Sequence, residues 1–205
     1  DGGQTLLVGD LTPTDGVACP VVPIVGGKPE AVALAAVASN PACFVFNQRY
    51  PGGFTPRFGG TVEDYSAVAG IRGEFANGWR YDLSGSVGQN GIKLGISNTV
   101  NASMGPASPA DFQLGQQVQR EELLNLDLHH NVEIGWQSPL SVAFGLQQHN
   151  ESFRIVAGEP ASYARGPLAL QGFSAGSNGF QGFSPDTAGV THRHSRGVYL
   201  DLEGN

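Results

Sequence analysis

The stretch at residues 65–87, YSAVAGIRGEFANGWRYDLSGSV, decides how the chain is read, because two alternating arms flank the turn-forming pair Asn77-Gly78. On the first arm Tyr65, Ala67, Ala69, Ile71, Gly73 and Phe75 share one face, while Ser66, Val68, Gly70, Arg72 and Glu74 share the other. On the second arm Trp79, Tyr81, Leu83 and Val87 fall opposite Arg80, Asp82, Ser84 and Ser86. A two-residue turn at Asn77-Gly78 would set Ile71 against Ser84 and mix the two faces. A three-residue loop, Ala76-Asn77-Gly78 with Gly78 left-handed, pairs Phe75 with Trp79, Gly73 with Tyr81 and Ile71 with Leu83. It also pairs Glu74 with Arg80 and Arg72 with Asp82, and each such cross-strand charge pair contributes roughly 0.2–1 kcal/mol. The segment is expected to be a hairpin with one apolar and one charged face.

The rest of the composition agrees with strands and loops. Gly accounts for 30 of 205 residues and only 14% are charged, against about 25% charged in ordinary soluble domains. No apolar run approaches the roughly 20 residues of a membrane helix, which excludes a helical membrane protein. A β-barrel is left open, because its strands need only about 9–11 alternating residues and a mean hydropathy of -0.12 does not register them. The net charge of -7 and the lack of a basic, aromatic-studded patch argue against nucleic acid as a partner. The absence of an initiator Met and a strand-like run at the end lead us to expect an excised piece of a longer protein. Cys19 and Cys43 are the only cysteines and share one Gly/Pro-rich stretch, which fits a disulfide in an oxidising compartment better than two buried thiols.

Turn formers fill residues 1–62, so this part reads as one long loop with a strand stub at residues 4–8. Within it Pro29-Glu30, then AVALAAVAS, then Asn40-Pro41 spell a short helix bracketed by the two cysteines. Residues 63–205 read as antiparallel strands with two further long loops. The first hairpin continues through Ile92, Leu94 and Ile96, with a bulge expected at residues 88–91. A second hairpin sets Leu124, Leu126, Leu128, Val132, Ile134 and Trp136 on one face and turns at Gln137-Ser138-Pro139. It then returns through Leu140, Val142, Phe144 and Leu146, with Trp136 expected opposite Leu140. A last strand alternates Val198, Leu200 and Leu202 with Tyr199, Asp201 and Glu203. Short turns then gather at one end beside Phe75, Trp79 and Trp136, and long loops at the other. Short turns, long loops, an apolar outside with an aromatic girdle and a polar inside are the features of an outer-membrane barrel.

The blocks CFVFNQRYPGGFTPRFGG (43–60), AGIRGEFANGW (69–79), NASMGPASPADF (101–112), SVAFGLQQHNESFRIVAGEPASY (141–163) and GFSPDTAG (182–189) resemble the barrel of a TonB-dependent outer-membrane receptor of Gram-negative bacteria. The resemblance implies an all-β transmembrane barrel of about 22 strands, with its long loops extracellular. It also implies a plug domain that couples to the TonB complex. This chain lacks that plug and its TonB-contacting box. Five strands, or six with the stub, make about a quarter of such a barrel. The implied partners are outer-membrane lipid and a scarce nutrient, such as an iron chelate, a carbohydrate or a cobalamin-like ligand. No catalytic residue, cofactor or resident metal is expected. The competing architecture is a secreted, Gly-rich β-sandwich or β-solenoid adhesin whose apolar faces meet each other in water.

Ligand contacts, on this reading, come from aromatics and arginines of the long loops: Tyr50, Phe54, Arg57, Tyr163, Arg165, Phe180 and Phe183. Gly172-Phe173-Ser174-Ala175-Gly176 matches a nucleophile elbow, with Asp186 and His192 or His194 following in hydrolase order. The elbow needs a strand before it and a helix after it, and here the flanks are glycine-rich, with Gln-Gly-Phe-Ser recurring at residues 181–184. His192 and His194 share a face without a third ligand, and His129 and His130 point to opposite faces. Sequons at Asn101 and Asn150 carry no weight in a bacterial protein.

Overall fold

The computed structural model describes residues 5–204. Proline and glycine cut the beginning of the chain into runs too short for sustained alternation, and it folds as a set of very short pairings. Strand β1 (Thr5–Leu6) pairs antiparallel with β3 (Val22–Val25), which in turn pairs with β4 (Lys28–Pro29), while β2 (Gly9–Asp10) pairs with β5 (Cys43–Phe44). The stub expected at residues 4–8 is therefore not a sixth long strand: Thr5 sits opposite Pro23 and Leu6 opposite Val22, and Gln4 lies outside the described residues.

The helix forms where it was read, as α1 (Ala31–Ser39). The Glu30 carboxylate caps it, accepting the backbone N–H of Val32 at 3.0 Å and of Ala33 at 2.7 Å, two donors that the first turn otherwise leaves unpaired. A nine-residue helix is marginal alone. Its Val37 is fully buried among Val22, Val45 and Cys43, and Cys43 is joined to Cys19 with the two Cα atoms 5.8 Å apart. The disulfide thus closes the loop that contains the helix.

The remaining strands are long: β6 (Arg57–Glu74), β7 (Arg80–Ser97), β8 (Phe112–Val132), β9 (Leu140–Ala157) and β10 (Gly189–Glu203). They form one antiparallel sheet in the order β10-β9-β8-β7-β6, an open sheet with β6 and β10 at its edges. Strand β6 starts at Arg57, inside the segment read as loop. Strand β8 starts at Phe112, well before the apolar alternation at Leu124, because its first half carries Gln, Glu and Arg on both faces.

The first hairpin has the expected register. Phe75 N–H donates to the Trp79 carbonyl at 2.8 Å, Gly78 N–H donates to the Phe75 carbonyl at 2.9 Å, and Gly78 is left-handed at φ 82°. Glu74 and Arg80 form an exposed pair at 4.0 Å. The same register continues to the hydrogen bond between Asn90 and Asp64, so the bulge expected at residues 88–91 is absent and the strand keeps its facing there. The second hairpin differs. Strand β8 ends at Val132, and His129 Nε2 lies 3.0 Å from Ser141 Oγ, whereas a Trp136–Leu140 pair would have set Ser141 opposite Gly135. Residues 133–139 form a longer loop through the left-handed Gly135 (φ 84°). The slip is by an even number of residues, so each face keeps its chemistry.

The contacts divide the described residues into two units. The first comprises residues up to Gly60, Lys93–Gly115 and Val156–Ala188, and the second comprises Thr61–Ile92, Gln116–Ile155 and the chain from Gly189. Three buried apolar clusters occur among the described residues, centred on Val22/Val37/Val45, Phe44/Leu168/Phe173 and Ile96/Phe112/Leu114, and all three belong to the first unit.

Removing the disulfide by Cys19→Ala/Cys43→Ala should destabilise the first unit by about 3.5 kcal/mol, the loop-closure value for about 25 residues. Denaturant titration of the variant against the oxidised protein measures it. The Glu30 carboxyl is held below its ordinary pKa of 4.5 by the bond from Val32 N–H and then that from Ala33. A depressed carboxylate stabilises the fold above the unfolded value and loses that contribution as pH falls through the folded one. Protection of the α1 amides from hydrogen exchange should therefore fall below about pH 4.5, and Glu30→Gln should remove that pH dependence.

Candidate functional site

Of the seven loop residues read as ligand contacts, the fold gathers two aromatic groups within the first unit. Tyr50 and Phe54 stack at 4.8 Å between ring centroids, with the Arg49 guanidinium 5.5 Å above the Tyr50 ring. Phe180 lies 4.9 Å from Phe58 and meets Phe183 edge-on at 6.4 Å. Phe58 and Phe180 are both exposed, and Arg57 and Arg165 present their side chains to solvent. Tyr163 is half-buried, and its carbonyl accepts from Gln181. Phe58 and Arg49 were missed by the sequence reading. Each adjoins a residue that was singled out, so only their ring contacts distinguish them.

A buried polar network positions these loops. Asn101 is fully buried: its Nδ2 donates to the carbonyls of Ala161 at 2.8 Å and Ala164 at 2.9 Å, and its Oδ1 accepts from Ser103 Oγ at 2.7 Å. Its backbone N–H donates to Ser108 Oγ at 2.8 Å, and Ser103 Oγ accepts from Gly166 N–H at 2.8 Å. Ser177 Oγ donates to the Phe180 carbonyl at 2.6 Å, tying that aromatic group to the same scaffold. Asn101 was read only as the start of a sequon. It is a loop-fastening residue, for which the signal is a lone Asn in a Ser/Pro/Gly segment that must satisfy its own backbone.

In the second unit the polar face carries the recognisable clusters. Near the short turns Arg72, Asp82, Asp127, His129 and Tyr199 line an open recess of about 470 Å³. Tyr199 on β10 reaches across β9 to donate its hydroxyl to Asp127 Oδ1 on β8 at 2.8 Å, its ring lying over Gly145, where a Cβ would collide with it. Further along the strands Glu121, His149 and Glu151 each offer a ligand atom within 4.8 Å of the others. On the other face His130 stacks on Trp79 at 5.0 Å and sits 3.0 Å from the Gly78 carbonyl, bracing the hairpin turn.

The nucleophile-elbow pattern folds otherwise than an elbow. A 3-10 turn, Pro167–Gln171, precedes it in place of a strand, Phe173 is a core residue, and the Ser174 carbonyl accepts from Ser103 N–H. His194 bonds the Asn150 side chain at 2.8 Å, and His129 bonds Ser141.

No family model, curated protein or solved structure matches the chain. The fold and its side-chain geometry therefore carry the functional argument.

Replacing Asn101 with Ala should cost about 2–3 kcal/mol, since the carbonyls and hydroxyl it satisfies stay buried without partners. Hydrogen exchange at the Gly166 amide should accelerate in that variant while the amides of β9 and β10 keep their protection.

Proposed function

We propose that the chain is part of the wall and outer loops of an outer-membrane β-barrel, in a receptor of the TonB-dependent type that takes up a scarce nutrient. One observation carries this reading: the sheet of the second unit has an apolar face and, among the described residues, no buried apolar cluster to account for it. Ile71 is 63% exposed, Val198 70% and Leu200 65%, with Tyr65, Phe75, Leu124 and Leu202 also exposed on that face. A sheet in water buries one face against another layer, so the β-sandwich alternative predicts these residues covered.

The extent of the apolar face supports lipid as its cover. It runs from Tyr65 along β6 to Phe75 just past its end, from Trp79 just before β7 to Val87, and from Leu124 to Val132 on β8, Leu140 to Leu146 on β9 and Val198 to Leu202 on β10. The first three runs reach the roughly 9–11 residues of a tilted membrane strand, and those on β9 and β10 are shorter. Beyond them the same face turns polar, with the ion pair Arg120–Glu122 at 2.7 Å, then Gln148, Asn150, His194 and Arg196. Trp79 and Trp136 mark the short-turn limit, where an interfacial girdle belongs. The opposite face bears Arg72, Glu74, Arg80 and Asp82, suited to a wet lumen. The two open edges suit a sheet continued by further strands, since an exposed pair of edges invites aggregation.

In such a receptor the loop aromatics Phe58, Phe180 and Phe183 with Arg57 would form the first contact with ligand, presenting ring faces and a cation to a large polar solute. The energy for uptake would come through a plug domain and the TonB complex.

Alternate cysteine labelling in whole Gram-negative cells tests the reading, because both native cysteines are in the disulfide and leave no free thiol. Ile71→Cys and Leu83→Cys should react with a lipid-soluble maleimide and resist a membrane-impermeant one. Arg72→Cys and Asp82→Cys should react with the membrane-impermeant one. A soluble protein, or equal labelling of both sets by the impermeant reagent, would sink the barrel reading.

A further inference from the structure

We propose that Glu121, His149 and Glu151 form a binding site for a first-row divalent metal ion on the polar face of the sheet. The proposal rests on the strand register and not on the membrane reading. His149 and Glu151 stand two residues apart on β9 and so share a face. Glu121 on β8 comes against them, with its Oε2 3.8 Å from His149 Nε2. One donor atom from each residue lies within 4.8 Å of the other two, so modest side-chain rotations on a fixed sheet bring all three to a common ion at about 2.0–2.2 Å.

A second observation is independent of that convergence. His149 Nε2 is shielded from solvent and has no hydrogen-bond partner in the structure. Buried ring nitrogens are ordinarily paired, and an orphan calls for a missing ion, a water or a reactive role. This orphan nitrogen is the one turned towards the carboxylates. Both carboxylates also accept a hydrogen bond from a neighbouring side chain, as metal ligands do when an outer layer of hydrogen bonds orients them. Gln119 Nε2 donates to Glu121 Oε1 at 2.7 Å, which leaves Oε2 facing His149. Arg193, paired with Glu151 in the β9–β10 register, donates its Nε to Glu151 Oε2.

The donor set states the class of ion. One imidazole and two carboxylates suit Zn2+, Mn2+ or Fe2+, whereas Cu(I) prefers thiolate or thioether and Ca2+ takes six to eight oxygens. Three protein ligands leave coordination positions open for water or for an oxygen of a bound solute. The competing arrangement is two separate ion pairs, Glu121 with protonated His149 and Glu151 with Arg193, holding no metal.

Equilibrium dialysis of the purified full chain against Zn2+ distinguishes the two. One Zn2+ should bind per chain, and His149→Ala and Glu121→Gln should each weaken binding at least tenfold. The variant His192→Ala/His194→Ala, which removes two histidines of the other face, should leave affinity within twofold. Saturating Zn2+ should also shift the His149 ring signals in an NMR spectrum at a pH where the imidazole is neutral. Stoichiometric binding that survives His149→Ala, or no binding by the unaltered chain at micromolar Zn2+, would overturn the proposal and leave the two ion pairs as the account of the cluster.

Discussion

The bond from Phe75 N–H to the Trp79 carbonyl, made possible by a left-handed Gly78, is the interaction on which the long sheet depends. A strand's side chains alternate with period two, so a slip of one residue at this turn would exchange the apolar and charged faces of β6 relative to β7. Gly78 takes its positive φ at no steric cost, and the residue pair on each side then confirms the register, Phe75 against Trp79 and Glu74 against Arg80. Once β7 is fixed, β8, β9 and β10 add with the same facing. The sheet thereby carries one apolar and one polar face across its five strands.

The loops solve a different problem, since each is long and none can rely on a strand ladder. Three devices serve in place of a large core. A covalent tether closes the segment around α1, the Glu30 side chain completes the helix start, and Asn101 with Ser103 and Ser108 satisfies backbone groups from two separate loop segments. The apolar clusters around Val37, Leu168 and Leu114 are small. Directional bonds consequently set the loop conformation as much as burial does. Such loops can present Phe58 and Phe180 to solvent while remaining ordered beneath them.

How much was legible in the sequence follows from how local each signal is. The first hairpin, α1 and the disulfide were readable because a turn pair, a helix stop and a single cysteine pair are written in adjacent residues. The second hairpin was read too tight: Ser138-Pro139 looks like a turn, but the left-handed Gly135 opens the loop earlier, over residues 133–139. Of the early strands only β1 falls where a strand was read, in the stub at residues 4–8; β2 to β5 were invisible because pairings of two to four residues have no period to detect. The Glu121/His149/Glu151 cluster was equally hidden, since only the β8–β9 register brings residues 28 apart in sequence together. Asn101 was misjudged for the same reason, as its partners Ala161 and Ala164 lie in a distant loop.

Tyr199 makes the register of the last strand conditional on that of the two strands before it. Its ring needs the vacancy above Gly145 on β9, and its hydroxyl needs Asp127 on β8. Both conditions hold together only when β8 and β9 are already aligned in the native register. The β10 register is therefore coupled to that of β8 and β9: with β8 and β9 misaligned, Asp127 would not stand at the far end of the ring and the Tyr199 hydroxyl would lose its acceptor.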